Sequence, residues 1–299
     1  MKIIIKITQQ LICVSLSFLM VTTSVILPSK AHAQMLPPMP IPGSMMGLSG
    51  AYSPPLMLGI EIDPQNPFEM NFLMDQGQDP LSESTQQSEY TKLIKYFLSA
   101  LTVSEDNLWV NLSPYEKDRI INDDFAQTQM GMDLLAQDYL LKQITSSLTF
   151  PENDTGAEFW ETLRQNIEAN GGDKEAITDV LNKVWIVPDE AVVYEEEQTA
   201  WVYHMHLKVM LEEDYLAMQE RSDNALTTSD EKITNTEVAD VIRSQIIPAI
   251  EREVNTGKHF SVLRQIVGTM ILATWYKKSL QESILTQSYA DQSKVKGMA

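Results

Sequence analysis

His204-Met205-His206 sets two imidazoles two residues apart, and on a β-strand that spacing points both to one side, which is the beginning of a metal site. Glu212, Glu213 and Asp214 follow as oxygen ligands or bases, and His259 is a further nitrogen ligand that only folding could bring close. Completed in this way, His204 and His206 with nearby carboxylates would make a metal-assisted hydrolase, in which the ion activates a water. The set is incomplete in the sequence, because catalytic zinc takes three protein ligands and keeps one position open. The plainer reading is a pair of side chains on a solvated strand. Asp123-Asp124 and Glu195 to Glu197 are carboxylate clusters that could serve acid–base chemistry or hold Ca²⁺. No Asp-x-Asp-x-Asp-Gly loop accompanies them, so they read as charged surface.

Other signatures fail on inspection. Gly-x-Ser-x-Gly, His-Glu-x-x-His, the Walker loop and Gly-x-Gly-x-x-Gly are all absent. Ser222-Asp223-Asn224 and Ser293-Lys294-Val295-Lys296 match two fragments of penicillin-binding serine enzymes, but in reversed order and without Lys-Thr-Gly, so the match is read as chance. Met35, Met39, Met45, Met46 and Met57 offer thioethers to Cu(I), although methionine is also a common adaptable hydrophobe at contacts. Trp109, Trp160, Trp185, Trp201 and Trp275 fall at helical or strand period and read as core rather than as sugar-stacking walls. No catalytic set is assigned, and no cofactor is expected.

The chain around these residues is 299 long, 43% hydrophobic and 21% charged, enough to bury a core in one or two domains. Lys and Arg number 22 against 41 Asp and Glu, a net charge of −19. Such a surface repels phosphate backbones and argues against nucleic-acid partners or anionic lipid. Lys2 and Lys6 precede an apolar run from Leu11 to Leu27, and Ala31-His32-Ala33 then offers small residues to a signal peptidase. Residues 1–33 are therefore expected to be a secretory signal peptide. The only cysteine, Cys13, lies inside it. A cleaved chain would hold no thiol, which excludes disulfides, Cys-ligated zinc, iron–sulfur clusters and thiol nucleophiles. The expected location is extracytoplasmic, periplasmic or secreted, with no transmembrane segment in the mature chain: Ile266 to Tyr276 is too short to span and ends at Lys277-Lys278.

Residues 34–57 are rich in Pro, Gly and Met. Because Pro blocks helix and ladder bonds, they are expected to form a flexible arm. From Leu58, Ile60 and Ile62 alternate with polar residues; Phe68, Met70, Phe72 and Met74 do the same after a Pro-Asn cluster. That pattern predicts a β-hairpin. Apolar residues at three- and four-residue spacing predict helices over about 89–103 and 125–149, with capping signals opening others at Ser113-Pro114 and Thr155-Gly156. A short helical piece is expected at 176–182. Val184 to Val187, Ala191 to Tyr194 and Trp201 to His206 read as strands, with Glu195 to Gln198 joining the last two. Helix is expected from Leu207 to Glu220, a polar linker over 221–235 that could subdivide the body 58–299, and a helix over 236–254 kinked at Pro248. Phe260 to Leu285 is the longest apolar helix, with Arg264-Gln265 and Lys277-Lys278 as its polar edges. The sum is an α+β protein, a mostly helical body with a few antiparallel strands.

LWVNLSPYEKDRII (108–121), GMDLLAQDYLLKQITSSL (131–148), NKVWIVPDEAVVYE (182–195), LKVMLEEDYLA (207–217) and LRQIVGTMILATWYKKSLQESIL (263–285) resemble an uncharacterised family of exported bacterial proteins. The likeness runs from about Leu56 to Gly297 and implies export without implying any activity, ligand or catalytic residue. Together these features lead to the expectation of an exported non-enzymatic binding or assembly protein with an unidentified protein partner. The alternative is the metal-assisted hydrolase.

Overall fold

The period-two run before Asp63 forms strand β1 (Leu56–Ile62), paired antiparallel with β2 (Met70–Asp75). The computed structural model describes residues 39–63, 66, 68–104, 123–170, 184–222 and 236–295, and Met39–Ala299 is one compact unit. A bulge between Met57 and Gly59 breaks the alternation of β1. It adds one residue, so Met57 and Ile60 are buried while Leu58, expected on the side of Ile60, is exposed.

Helix α1 (Glu83–Thr102) starts earlier than the apolar pattern suggests because Ser82 caps it, its side chain accepting from the Thr85 N–H. A short α2 (Asp123–Ala126) precedes α3 (Gln129–Leu148), whose cap is Thr128. Helix α4 (Asp154–Asn170) is capped by Asn153, which accepts from the Gly156 N–H at 2.6 Å. The predicted cap at Thr155 is thus displaced by a better placed side chain just upstream. Strands β3 (Val184–Glu196) and β4 (Thr199–Leu211) form the expected hairpin, turning at Glu197-Gln198 with Glu197 at φ 52°. Helix does not begin at Leu207. Leu207, Val209 and Leu211 continue β4 opposite Pro188, Ile186 and Val184, and α5 (Glu212–Ser222) follows. Pairing with a complementary apolar strand overrides the local helical pattern.

A π-helical turn, Ile242–Ile246, separates α6 (Thr236–Val241) from α7 (Ile247–Thr256). Pro248 lies just after it. Lacking an N–H, it cannot close the usual helical bond, and the widened turn accommodates the loss. Helix α8 (Ser261–Val295) runs past the expected end, and its apolar run Ile266 to Ala273 is buried. Among the described residues no helix is long and apolar enough to cross a membrane.

The strands form one antiparallel sheet in the order β2-β1-β4-β3. Ile60, paired with Phe72 and Ala200, is fully buried in the core beneath α1 and α8. Phe72 meets Phe97 of α1 edge-on at 5.2 Å, and Phe97 meets Tyr276 of α8 at 5.9 Å. The fold is α+β, and helices make up most of it. The leader, residues 34–38, the helices expected near 114–121 and 176–182, Trp109 and residues 223–235 of the expected linker lie outside the described residues.

The arm is not free from Met39 onward. The Tyr139 hydroxyl donates to the Pro40 carbonyl at 2.8 Å, the Met46 N–H donates to Ser147 Oγ at 2.9 Å, and the Tyr52 N–H donates to the Thr256 carbonyl at 2.8 Å. Ala51 bridges to Gly257. Proline removes a donor but keeps its carbonyl, and the intervening residues keep both groups. A Pro-rich segment can therefore be bound strand-like to a body that supplies the missing partners.

Asp138 on α3 is half-buried, and its Oδ1 is sealed from solvent without a partner. Burial pushes its carboxyl up to about 6 from the ordinary 3.8, against the pull of Lys142. A raised carboxyl stabilises the fold below the unfolded value and loses that contribution as pH rises through the folded one. Asp138→Asn should therefore unfold at higher denaturant than the parent at pH 8, by about 1 kcal/mol after discounting for partial solvation. The gain should shrink as pH falls from 6 to 4, as urea melts across that range will show.

Candidate functional site

His204 and His206 lie in an unbroken run of pairing, His204 opposite Val192 and His206 opposite Glu190, so they share one side of β4 as the spacing predicts. His204 is exposed. His206 has Asp189 Oδ2 at 3.5 Å from Nδ1 and Glu251 Oε1 at 3.7 Å from Nε2. Of the other expected ligands, Glu213, Asp214 and His259 are engaged elsewhere. Arg243 donates to Glu213, to Asp214 at 3.0 Å and to Asp240 at 3.0 Å, and its guanidinium is held well above its usual range, first by the bond to Asp214. His259 faces the arm, its Nε2 3.2 Å from the Gly47 carbonyl oxygen. Among the described residues no three His, Cys, Asp or Glu side chains group to hold a metal ion. Purified tag-free protein passed through gel filtration after zinc loading should retain far less than one equivalent. Stoichiometric zinc that disappears in a His204→Ala, His206→Ala double variant would contradict this.

Glu251 has a structural task that the sequence does not disclose. Its Oε2 accepts from the Val209 N–H at 2.9 Å, and Asn255 one turn later accepts from the Leu207 N–H and donates to the Leu207 carbonyl, at 2.9 and 2.7 Å. Beyond Thr199 to Trp201, β4 has no β1 residue beside it. Helix α7 thus supplies side-chain partners to a strand edge that would otherwise be bare.

Arg264 and Gln265 are not polar edges of α8; both are buried. Arg264 donates to the carbonyls of Val254 and Tyr52, each at 2.8 Å, and Gln265 donates to the Pro55 carbonyl at 2.7 Å. Burial lowers the guanidinium's pKa, and Glu253 opposes the shift. The Glu253 carboxylate, itself buried, accepts from the Ser49 N–H at 2.7 Å and the Ser49 hydroxyl. A Cβ on Gly257 would stand 2.2 Å from that carboxylate, so the glycine makes its seat. The arm is anchored by hydrogen bonds to the buried Glu253, Arg264 and Gln265, which lie more than 200 residues further along the chain.

The sheet's second face is divided. At one end, Trp185, Val187 and Met210 are buried with Tyr215 of α5, and the Trp185 and Tyr215 rings stack at 4.3 Å. A cavity of about 410 Å³ opens beside them, lined by Lys208, Met210, Asp214, Met218, Arg243 and Ile247 among others. Its charged members are already paired in part, through Arg243 and Asp214. At the other end the face is open among the described residues. Leu73, Gly59, Trp201 and Tyr194 are consecutive cross-strand partners, one on each of the four strands. Gly59 leaves no room for a side chain there: a Cβ would meet the Ala200 carbonyl oxygen at 2.5 Å, Trp201 Cδ1 at 2.8 Å and Leu73 Cδ1 at 3.1 Å. Trp201 and Tyr194 rings lie 5.6 Å apart. Tyr194 is 56% exposed and Leu73 38%, with Val192 41% exposed beside them; Tyr203, the residue that the β3–β4 register skips between Val202 and His204, is 83% exposed. Trp201 is thus half-buried on an open sheet face, whereas the sequence places it in the core. Gly59 inside a strand pattern was the signal that could have found this row. Comparison with protein-family models, curated proteins and solved structures finds no match.

Proposed function

We propose that this chain is an exported, non-enzymatic binding or assembly component of the extracytoplasmic space, processed after Ala33 and akin to the bacterial family that its segments resemble. One observation carries the reading. Leu73, Tyr194, Val192 and Tyr203, with the half-buried Trp201 among them, form an exposed apolar and aromatic surface on the sheet, which is the feature expected of a contact site. The titratable groups that would serve catalysis are instead spent on structure. Arg243 is held by three carboxylates, Glu251 is bonded to the β4 backbone, and Glu253 to the arm. The docked position of residues 39–55 moves the contact element from the arm to the sheet.

A photo-crosslinking amino acid at Tyr203, introduced into protein expressed in an exporting host, tests the reading. A discrete adduct is expected at position 203 and not at an exposed control position such as Glu161. No adduct, together with turnover in a hydrolase panel that His206→Ala abolishes, would replace this reading with the metal-assisted hydrolase.

A further inference from the structure

We infer that the open sheet face docks a short, extended, basic segment of a protein partner, with apolar side chains on Leu73, Trp201 and Tyr194 and its cations against the flanking carboxylates. The inference rests on the binding-protein reading above and names the chemistry of the partner. The row Leu73-Gly59-Trp201-Tyr194 crosses four strands, and at the usual strand spacing that is about 14 Å, the length of four or five extended residues. One step along the strands on the same face lies a polar row of Asn71, Glu61, Thr199 and Glu196, related by the same register. On the other side come Val192 opposite His204 and Glu190 opposite His206, with Asp189 3.5 Å from His206. The aromatic stripe is therefore bordered by Glu61 and Glu196 on one side and by Glu190 and Asp189 on the other, and no Lys or Arg stands in these rows.

Charge complementarity selects the occupant. Apolar contact with the row gives area, cations reach carboxylates on both sides, and Lys or Arg over the rings of Trp201 and Tyr194 gains cation–π attraction. An acidic segment, a nucleic acid or an anionic lipid surface would meet like charge there. A second copy of this chain would bring the same acidic borders to the interface.

The probe is a fluorescein-labelled twelve-residue peptide alternating Lys with Tyr and Val. Two controls replace every Lys by Glu, or every Tyr and Val by Ser, and binding to the full secreted chain is read by anisotropy. The Lys peptide is expected to bind saturably and to weaken as salt rises from about 50 to 200 mM. Each control, and each of the exposed-site variants Tyr194→Ala and Glu196→Lys, should bind about tenfold more weakly, equal to about 1.4 kcal/mol. Thermal melts of both variants report whether the fold is retained. Equal binding of the Glu peptide, unchanged affinity in both folded variants, or no saturable binding would overturn the inference. So would sedimentation showing dimers that Tyr194→Ala dissociates, or a neutral oligosaccharide that binds and is lost in that variant. A cross-linked native partner that contacts the face through a neutral or acidic segment would overturn the inference while leaving the binding-protein reading intact.

Discussion

Glu253→Ala is expected to cost about 2 to 3 kcal/mol of stability, because it leaves three partly buried donors without their acceptor and removes a negative charge from the surroundings of the buried Arg264. Glu253 is almost wholly excluded from solvent and receives the Ser49 N–H, the Ser49 hydroxyl and the His259 N–H, the last at 3.4 Å. Its neighbour Arg264 donates to the Tyr52 carbonyl from the same junction of α7 and α8. The loss should appear in urea unfolding as a lower midpoint. It should be accompanied by proteolytic cutting between Met39 and Pro55 at denaturant concentrations where the remainder is still resistant, since the Ser49 anchor fails first. Glu253→Gln keeps an acceptor in place and should recover part of the loss. A cost below about 1 kcal/mol for the alanine variant would mean that water satisfies the orphaned donors and that the anchor contributes little.

A second large effect is expected between α1 and α3. Asp133 is only 2% exposed, yet it sits on the apolar side of α3. The Tyr96 hydroxyl donates to it, and Gln129 Nε2 donates to the same oxygen at 2.8 Å. Burial, and then the carboxylate beside it, hold the Tyr96 phenol well above its ordinary range, so it remains a donor at every accessible pH. Asp133→Leu alone leaves a buried phenol unpaired, and Tyr96→Phe alone leaves a buried carboxylate with one bond fewer. Each should cost about 2 to 3 kcal/mol. The double variant removes both polar groups from an apolar site and should lie closer to the parent than the single costs would sum to, a coupling of at least about 1 kcal/mol in a double-mutant cycle. Additive costs would show that the bond is not what holds the two helices in register.

Much of this architecture is legible from the chain alone, for a reason that can be stated element by element. The hairpin of β3 and β4 follows from clustered β-branched and aromatic residues on either side of an acidic turn. The buried run in α8 follows from Ile266 to Ala273, and the β1–β2 hairpin from alternation around a Pro-Asn turn. These are local patterns, set by side-chain period and turn chemistry within a dozen or so residues. The shared side of His204 and His206 belongs to the same class, being a consequence of strand geometry.

What local pattern could not supply is the identity of partners distant in sequence. Leu207 to Leu211 carry a helical pattern and become strand because Val184 to Pro188 pair with them. Arg264 and Gln265 look like a solvated helix edge and are buried because the carbonyls of Tyr52 and Pro55 arrive from some 210 residues away. The Pro-rich arm reads as mobile, since its own sequence offers no bonding partners, and Tyr139, Ser147, Glu253, Thr256, Arg264 and Gln265 provide them from distant parts of the chain. The open face is likewise a tertiary property. Trp185 and Trp201 lie on the same hairpin with similar neighbours, yet α5 lays Tyr215 over the first and nothing among the described residues over the second. Period and propensity determined which segments became helix or strand and which side of each was apolar. Which apolar sides were covered, and which buried charges found each other, was decided by long-range packing, because desolvation and pairing energies depend on where the whole chain places its groups and not on their order along it.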